Sequence, residues 1–142
     1  MAHLTLKSLV LGALTSMAIG TVHAANDYPA DLAKTQPAIA HKFADLTGKI
    51  ARKHAWVKNY GVTVPVKEIT LGDETYQVLS GCKPHDCPSE KYVLLIAKTG
   101  DKGVGAFVIN QFSSGIHPSS SKVRWLGQPD EAQVAALAQL LF

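Results

Sequence analysis

Apolar positions along the chain change their period once, and the change divides it. From Pro37 to Ile50 they fall three and four apart, so that Ile39, Phe43, Leu46 and Ile50 share one face. That spacing predicts an amphipathic helix. Thr35 is placed to cap it, with Pro37 in the first turn, and Gly48 with the charges that follow puts its end nearby. Asn26 to Lys34 is polar, contains Pro29 and reads as an irregular lead-in. Lys49 to Lys58 is basic, carries Trp56 and reads as a last turn and a loop ending at Tyr60-Gly61. Beyond Gly61 the period becomes two. Val62, Val64, Val66 and Ile69 form a strand that Pro65 confines to an edge or breaks. Thr75 to Ser80 is a second strand, after a turn at Leu71-Gly72-Asp73-Glu74. Tyr92 to Ala97 is almost wholly apolar, as in a central strand covered on both faces. Val104 to Phe112 is a further strand, with Phe107 and Ile109 on one face. Lys122 to Leu126 is a short one, with Val123 and Trp125 on one face. Asp130 is placed to cap a final helix whose apolar face is Val134, Leu137, Leu140 and Leu141.

Short turns between successive strands imply antiparallel pairing. The expected fold is therefore α+β: a central antiparallel sheet of about five strands flanked by helices. The pattern contains no internal repeat.

The first two dozen residues do not fit this domain. His3 and Lys7 precede an apolar run from Leu9 to Ile19, and Val22-His23-Ala24 has the small-x-small form of a cleavage site. This reads as a secretory signal peptide spanning residues 1–24, which leaves one domain over 25–142. The run is well short of the ~20 residues that span a bilayer. Export carries the chain to an oxidising compartment, the periplasm. The mature chain has a small positive excess and no charge run of the kind that meets nucleic acid or a membrane surface.

Export also changes the meaning of the only two cysteines, Cys82 and Cys87. An oxidising compartment favours a structural disulfide between them. Extended, the segment would hold their Cα atoms ~17 Å apart, whereas a disulfide needs about 4.4–6.8 Å. The chain must double back, which puts Pro84, His85 and Asp86 at a protruding tip. Cys82, His85 and Cys87 lack zinc-finger spacing and a nearby fourth ligand, so no metal is expected. The cysteine spacing is not that of a thiol–disulfide oxidoreductase. No nucleophile elbow is present, and His117-Pro118-Ser119 sits in a Ser/Gly/Pro-rich loop. His41 and His54 read as surface or partly packed residues. A His85/Asp86 acid–base pair on a small substrate is the remaining enzyme reading, and a bare tip without a pocket argues against it. Closing so small a loop contributes more to shape than to stability. The residues point to a binding module rather than an enzyme, with no cofactor and with a rigid polar tip made to enter a partner's cleft.

Cys82-Lys83-Pro84-His85-Asp86-Cys87 resembles the signature of the Ivy family, periplasmic inhibitors of vertebrate (c-type) lysozyme. The resemblance extends to Trp56-Val57, to Leu71 through Val78 and to Val123-Arg124-Trp125-Leu126, so it covers most of the mature chain. It implies a sheet flanked by helices and a Cys82–Cys87 loop that enters the lysozyme active-site cleft. His85 would then reach the two catalytic carboxylates, Asp86 would orient the ring or meet the cleft wall, Lys83 would contact the rim and Pro84 would stiffen the loop. The bacterium's own lytic transglycosylases, which also use a catalytic glutamate, are the alternative partner.

Overall fold

A computed structural model describes residues 27–142; the expected signal peptide lies outside the described residues. Two helices open the domain, α1 (Pro29–Thr35) and α2 (Pro37–Ala51), followed by a 3₁₀ helix over Ala55–Asn59. Six strands follow: β1 (Val62–Thr63), β2 (Lys67–Leu71), β3 (Glu74–Cys82), β4 (Glu90–Ala97), β5 (Gly103–Gln111) and β6 (Ser120–Leu126). Helix α3 (Glu131–Leu141) ends the domain.

The lead-in is helical, contrary to the expectation. Pro29 starts α1, where its missing N–H costs nothing, and Leu32 is buried beneath it. Thr35 does not cap α2. It is the last residue of α1, and its hydroxyl donates back to the Leu32 carbonyl at 3.1 Å. Gln36 separates the helices because a residue before proline is driven out of the α region. Helix α2 ends at Ala51, close after Gly48 as expected.

All strand pairs are antiparallel, in the order β1-β3-β4-β5-β6, with β2 also paired to β3. Six strands arise where about five were expected because the first is split around Pro65. Its two pieces, β1 and β2, lie along the same partner, with Val62 opposite Cys82 and Lys67 opposite Val78.

Both faces of the sheet are covered, which explains the unbroken apolar run in β4. Tyr92, Leu94 and Ile96 point to the side of α1 and α2, where they pack with Ile39, Phe43, Ile50 and Leu79. Val93, Leu95 and Ala97 point to the other side and meet Leu137 and Leu141 of α3. Asp130 caps α3 as expected: its carboxylate accepts from the Gln133 N–H at 2.9 Å, and the Gln133 side chain accepts from the Asp130 N–H at 3.0 Å. Leu140 departs from the expected apolar face and is exposed. It lines a shallow hollow near the end where β3 turns into β4.

Candidate functional site

The β3–β4 connection is the Cys82–Cys87 loop. Pairing continues up to Cys82 opposite Lys91, and the Lys83 N–H donates to the Glu90 carbonyl at 3.0 Å. The cysteines are bonded to each other, with Cα atoms 4.8 Å apart. Neither sulfur is therefore free to act as nucleophile or metal ligand.

The tip is a tight turn over Lys83–Asp86, closed by the Asp86 N–H donating to the Lys83 carbonyl at 3.0 Å. Pro84 occupies the second position, and His85 takes the third with φ 64°. That is a type II turn, whose third position favours glycine because φ must be positive there. Histidine tolerates the left-handed region better than most residues, but at a cost. A second turn follows, with the Ser89 N–H donating to the Asp86 carbonyl at 3.1 Å. Pro84 and His85 are exposed at the apex, whereas Lys83 and Asp86 are partly covered.

Asp86 is turned back into the loop. Its carboxylate accepts from Ser89 Oγ at 2.5 Å and from Lys83 Nζ at 3.2 Å. Those two contacts, the serine bond first, hold its pKa below the usual aspartate value. The hydrogen bond to Asp86, followed by the charge of Glu90, raises the pKa of Lys83. Lys83 Nζ lies 3.7 Å from Glu90 Oε1. Glu90 Oε2 in turn accepts from Trp56 Nε1 and meets His54 Nδ1, each at 2.8 Å. Burial would raise the Glu90 pKa, but the hydrogen bonds from Trp56 and His54 and the nearby positive charge outweigh it, and the carboxyl lies below its ordinary range.

Glu90 is thus the hinge pin between core and tip. Trp56 stacks near Tyr92 with centroids 5.9 Å apart, and His54 packs on Phe107 at 4.8 Å. On the far side Asn110 clamps the loop: its side-chain amide donates to the Pro88 carbonyl at 2.7 Å and its N–H to the Ser89 carbonyl at 2.8 Å. The apex hangs from this frame with Pro84 and His85 exposed at its tip and Pro88 exposed at its base.

The expected loop residues Lys83, Pro84, His85 and Asp86 are all brought together, in two roles. Lys83 and Asp86 brace the turn; Pro84 and His85 present it. His54, Trp56, Glu90 and Asn110 were not singled out from the sequence as parts of the site. The His54–Glu90 and Trp56–Glu90 pairs are 36 and 34 residues apart, so no local spacing links them. A carboxylate opening an otherwise apolar strand was the one available hint.

A family model described as Inhibitor of vertebrate lysozyme (Ivy) matches residues 38–141, nearly the whole described domain, loop included. The chain belongs to the Ivy family. A protein of Escherichia coli strain K12 named inhibitor of vertebrate lysozyme is 37% identical over 81 residues, which cover 56% of this chain and 48% of that protein. The same-named protein of Escherichia coli O157:H7 matches to the same extent. An uncharacterized protein of Yersinia pestis is 36% identical over 93 residues, 61% of this chain and 59% of that protein. The match thus spans about half the length of the Escherichia coli relatives. In this Ivy-family chain the α+β architecture and the disulfide-closed loop stand as the sequence implied.

Proposed function

We propose that this chain is a proteinaceous inhibitor of c-type lysozyme that works in the periplasm by inserting the Cys82–Cys87 loop, His85 foremost, into the enzyme's active-site cleft. One observation carries the reading. The imidazole of His85 stands exposed at the apex of a turn where backbone geometry favours glycine, while the polar side chains behind it are engaged within the loop or with its base. A costly conformation that holds a histidine exposed at the apex, with the flanking Lys83 and Asp86 paired to each other, is a presentation device. The names of the family and of the Escherichia coli relatives supply the partner class.

The chemistry is direct. A lysozyme cleft holds a glutamic acid with a raised pKa and an ionised aspartate flanking the scissile bond. Imidazole donates from both nitrogens when protonated, and donates from one and accepts at the other when neutral. It therefore pairs with that acid in either protonation state. The loop enters already folded, so little ordering entropy is lost on binding.

The test is a cell-wall turbidity assay with purified chain and a c-type lysozyme. Stoichiometric inhibition is expected, weakened by His85→Ala about 30-fold or more, as for a contact worth ~2 kcal/mol at an interface centre. Failure of the unaltered chain to slow any c-type lysozyme at micromolar excess would refute the reading. Lytic transglycosylases assayed in parallel decide whether the chain's own cell supplies the partner.

A further inference from the structure

A stable protein interface buries about 800 Å² from each partner and draws on some 20–30 residues. The seven residues between Cys82 and Glu90 cannot supply that alone, so an inhibitory loop needs flanks. The question is which surfaces beside it can be desolvated.

Two surfaces are candidates, and the cleft of the first that Gly103 and Leu126 line lies toward the end of β5 and β6 away from the loop. On the α2 side, two clefts of about 630 and 340 Å³ share Arg124 as a wall. Lys42, Lys49, Lys53 and Lys122 line them as well, against a single acid, Asp45. None of these five cations lies within ion-pairing distance of a carboxylate among the described residues. Burying such a row against a partner costs desolvation at every charge. The α3 side is different. A shallow hollow of about 180 Å³ sits beside Cys82, walled by Val62, Val64, Leu140 and Lys91. The Lys91 ammonium is already engaged, donating to the Leu141 carbonyl with the Phe142 ring centroid 5.4 Å away.

The apolar surface is concentrated at this end. Val62 is 51% exposed, Val64 54%, Leu140 39% and Phe142 78%. Across the loop, the β5–β6 turn leaves the sheet next to Asn110, the residue that clamps Pro88, and it carries exposed Phe112 and Ile116. Six of the nine large apolar side chains exposed among the described residues thus lie toward the end of the sheet that carries the Cys82–Cys87 loop. Such clustering marks a contact surface, whereas scattered single residues do not.

We propose that the apolar shelf of Val62, Val64, Leu140 and Phe142, with Ile116 across the loop, is the docking face that seats the apolar rim of the cleft receiving His85. The inference rests on the inhibitory reading above. The loop gives the contact its centre, and the shelf supplies the area that excludes water around it.

The experiment measures inhibition constants with lysozyme for the disulfide-bonded chain, Val64→Ser/Leu140→Ser, Ile116→Ser, His85→Ala and, as a control at an exposed apolar site on edge strand β6 at its end away from the loop, Trp125→Ser. Thermal melts check folding, and sedimentation checks self-association. The shelf double variant is expected to inhibit about tenfold more weakly, Ile116→Ser several-fold, and Trp125→Ser like the unaltered chain, with melting temperatures retained. If His85→Ala weakens inhibition while the shelf and Ile116 variants do not, the loop works alone; the docking face is then overturned and the inhibitory reading stands. Shelf variants that change only self-association would assign the surface to a second copy of the chain, which also overturns it. If the unaltered chain does not inhibit, both fall together.

Discussion

His85 shows what one residue contributes through its backbone. A left-handed histidine costs roughly 1–2 kcal/mol relative to a relaxed one, and glycine at that position would carry no such strain. His85→Gly is therefore expected to leave the melting temperature unchanged or slightly raised while inhibition is lost. A fall in melting temperature would show that the imidazole braces the fold. Glu90 shows the opposite case, a residue whose charge supports the site without facing the partner. Its folded pKa is depressed, so its stabilising contribution is complete above the ordinary glutamate value of about 4.3 and is lost as pH falls through the lowered value. The unaltered chain is expected to lose more stability between pH 5 and pH 3 than Glu90→Gln, measured by urea unfolding at each pH. Equal losses would mean that the Trp56 and His54 contacts add nothing to folding.

At the scale of elements, the end of β3 determines where the loop starts. Gly81 lies opposite Tyr92, and a Cβ built there would fall 2.3 Å from the Tyr60 carbonyl oxygen and 2.7 Å from the Tyr92 hydroxyl. Those two groups are bonded, the Tyr92 hydroxyl donating to the Tyr60 carbonyl at 2.9 Å. Burial raises the Tyr92 pKa and keeps that donor protonated. Gly81→Ala is expected to cost about 1–3 kcal/mol, as overpacking does, and to unseat the chain between the 3₁₀ helix and β1 beside the disulfide. Chemical denaturation measures the first effect, and hydrogen exchange at Gly61 and Val62 the second. Helix α3 depends on its start: Asp130→Ala removes the capping carboxylate and is expected to cost about 1 kcal/mol. Because Leu140 and Phe142 belong to the same end of the domain, loosening α3 would also disturb the shelf.

For the whole molecule, the separation of core from loop matters most. The sheet is sandwiched between helices, and β4, buried on both sides, carries stability. Leu94→Ala at a fully buried site is expected to destabilise by about 2–5 kcal/mol. The disulfide closes only six residues, for which chain entropy gives about 2 kcal/mol. Cys82→Ser/Cys87→Ser should therefore leave a folded domain with weakened inhibition. Circular dichroism with the turbidity assay checks both halves, and an unfolded double variant would show that the bond holds the fold rather than the tip. Among the described residues no helix is long and apolar enough to cross a membrane.

What the sequence determined by itself was periodic or local. The period-four face of α2, the two-sided apolar run of β4, the break at Pro65, the Asp130 cap and the paired cysteines all depend on residues within a few positions of one another. Each was legible because helix and strand impose a fixed repeat on the side chains facing the core. The lead-in was misread because a seven-residue helix shows too little period to detect, and Thr35 because its hydroxyl served the preceding helix instead of the next. Tertiary structure alone decided the rest. It turned Asp86 inward to Lys83 and Ser89, brought His54 and Trp56 from the helical segment onto Glu90, and gathered Val62, Val64, Ile116, Leu140 and Phe142 toward the end of the sheet that carries the loop. Those contacts join residues far apart in the chain. Which of them meet depends on how helices, hairpins and sheet edges end at one place in space, which no local pattern encodes.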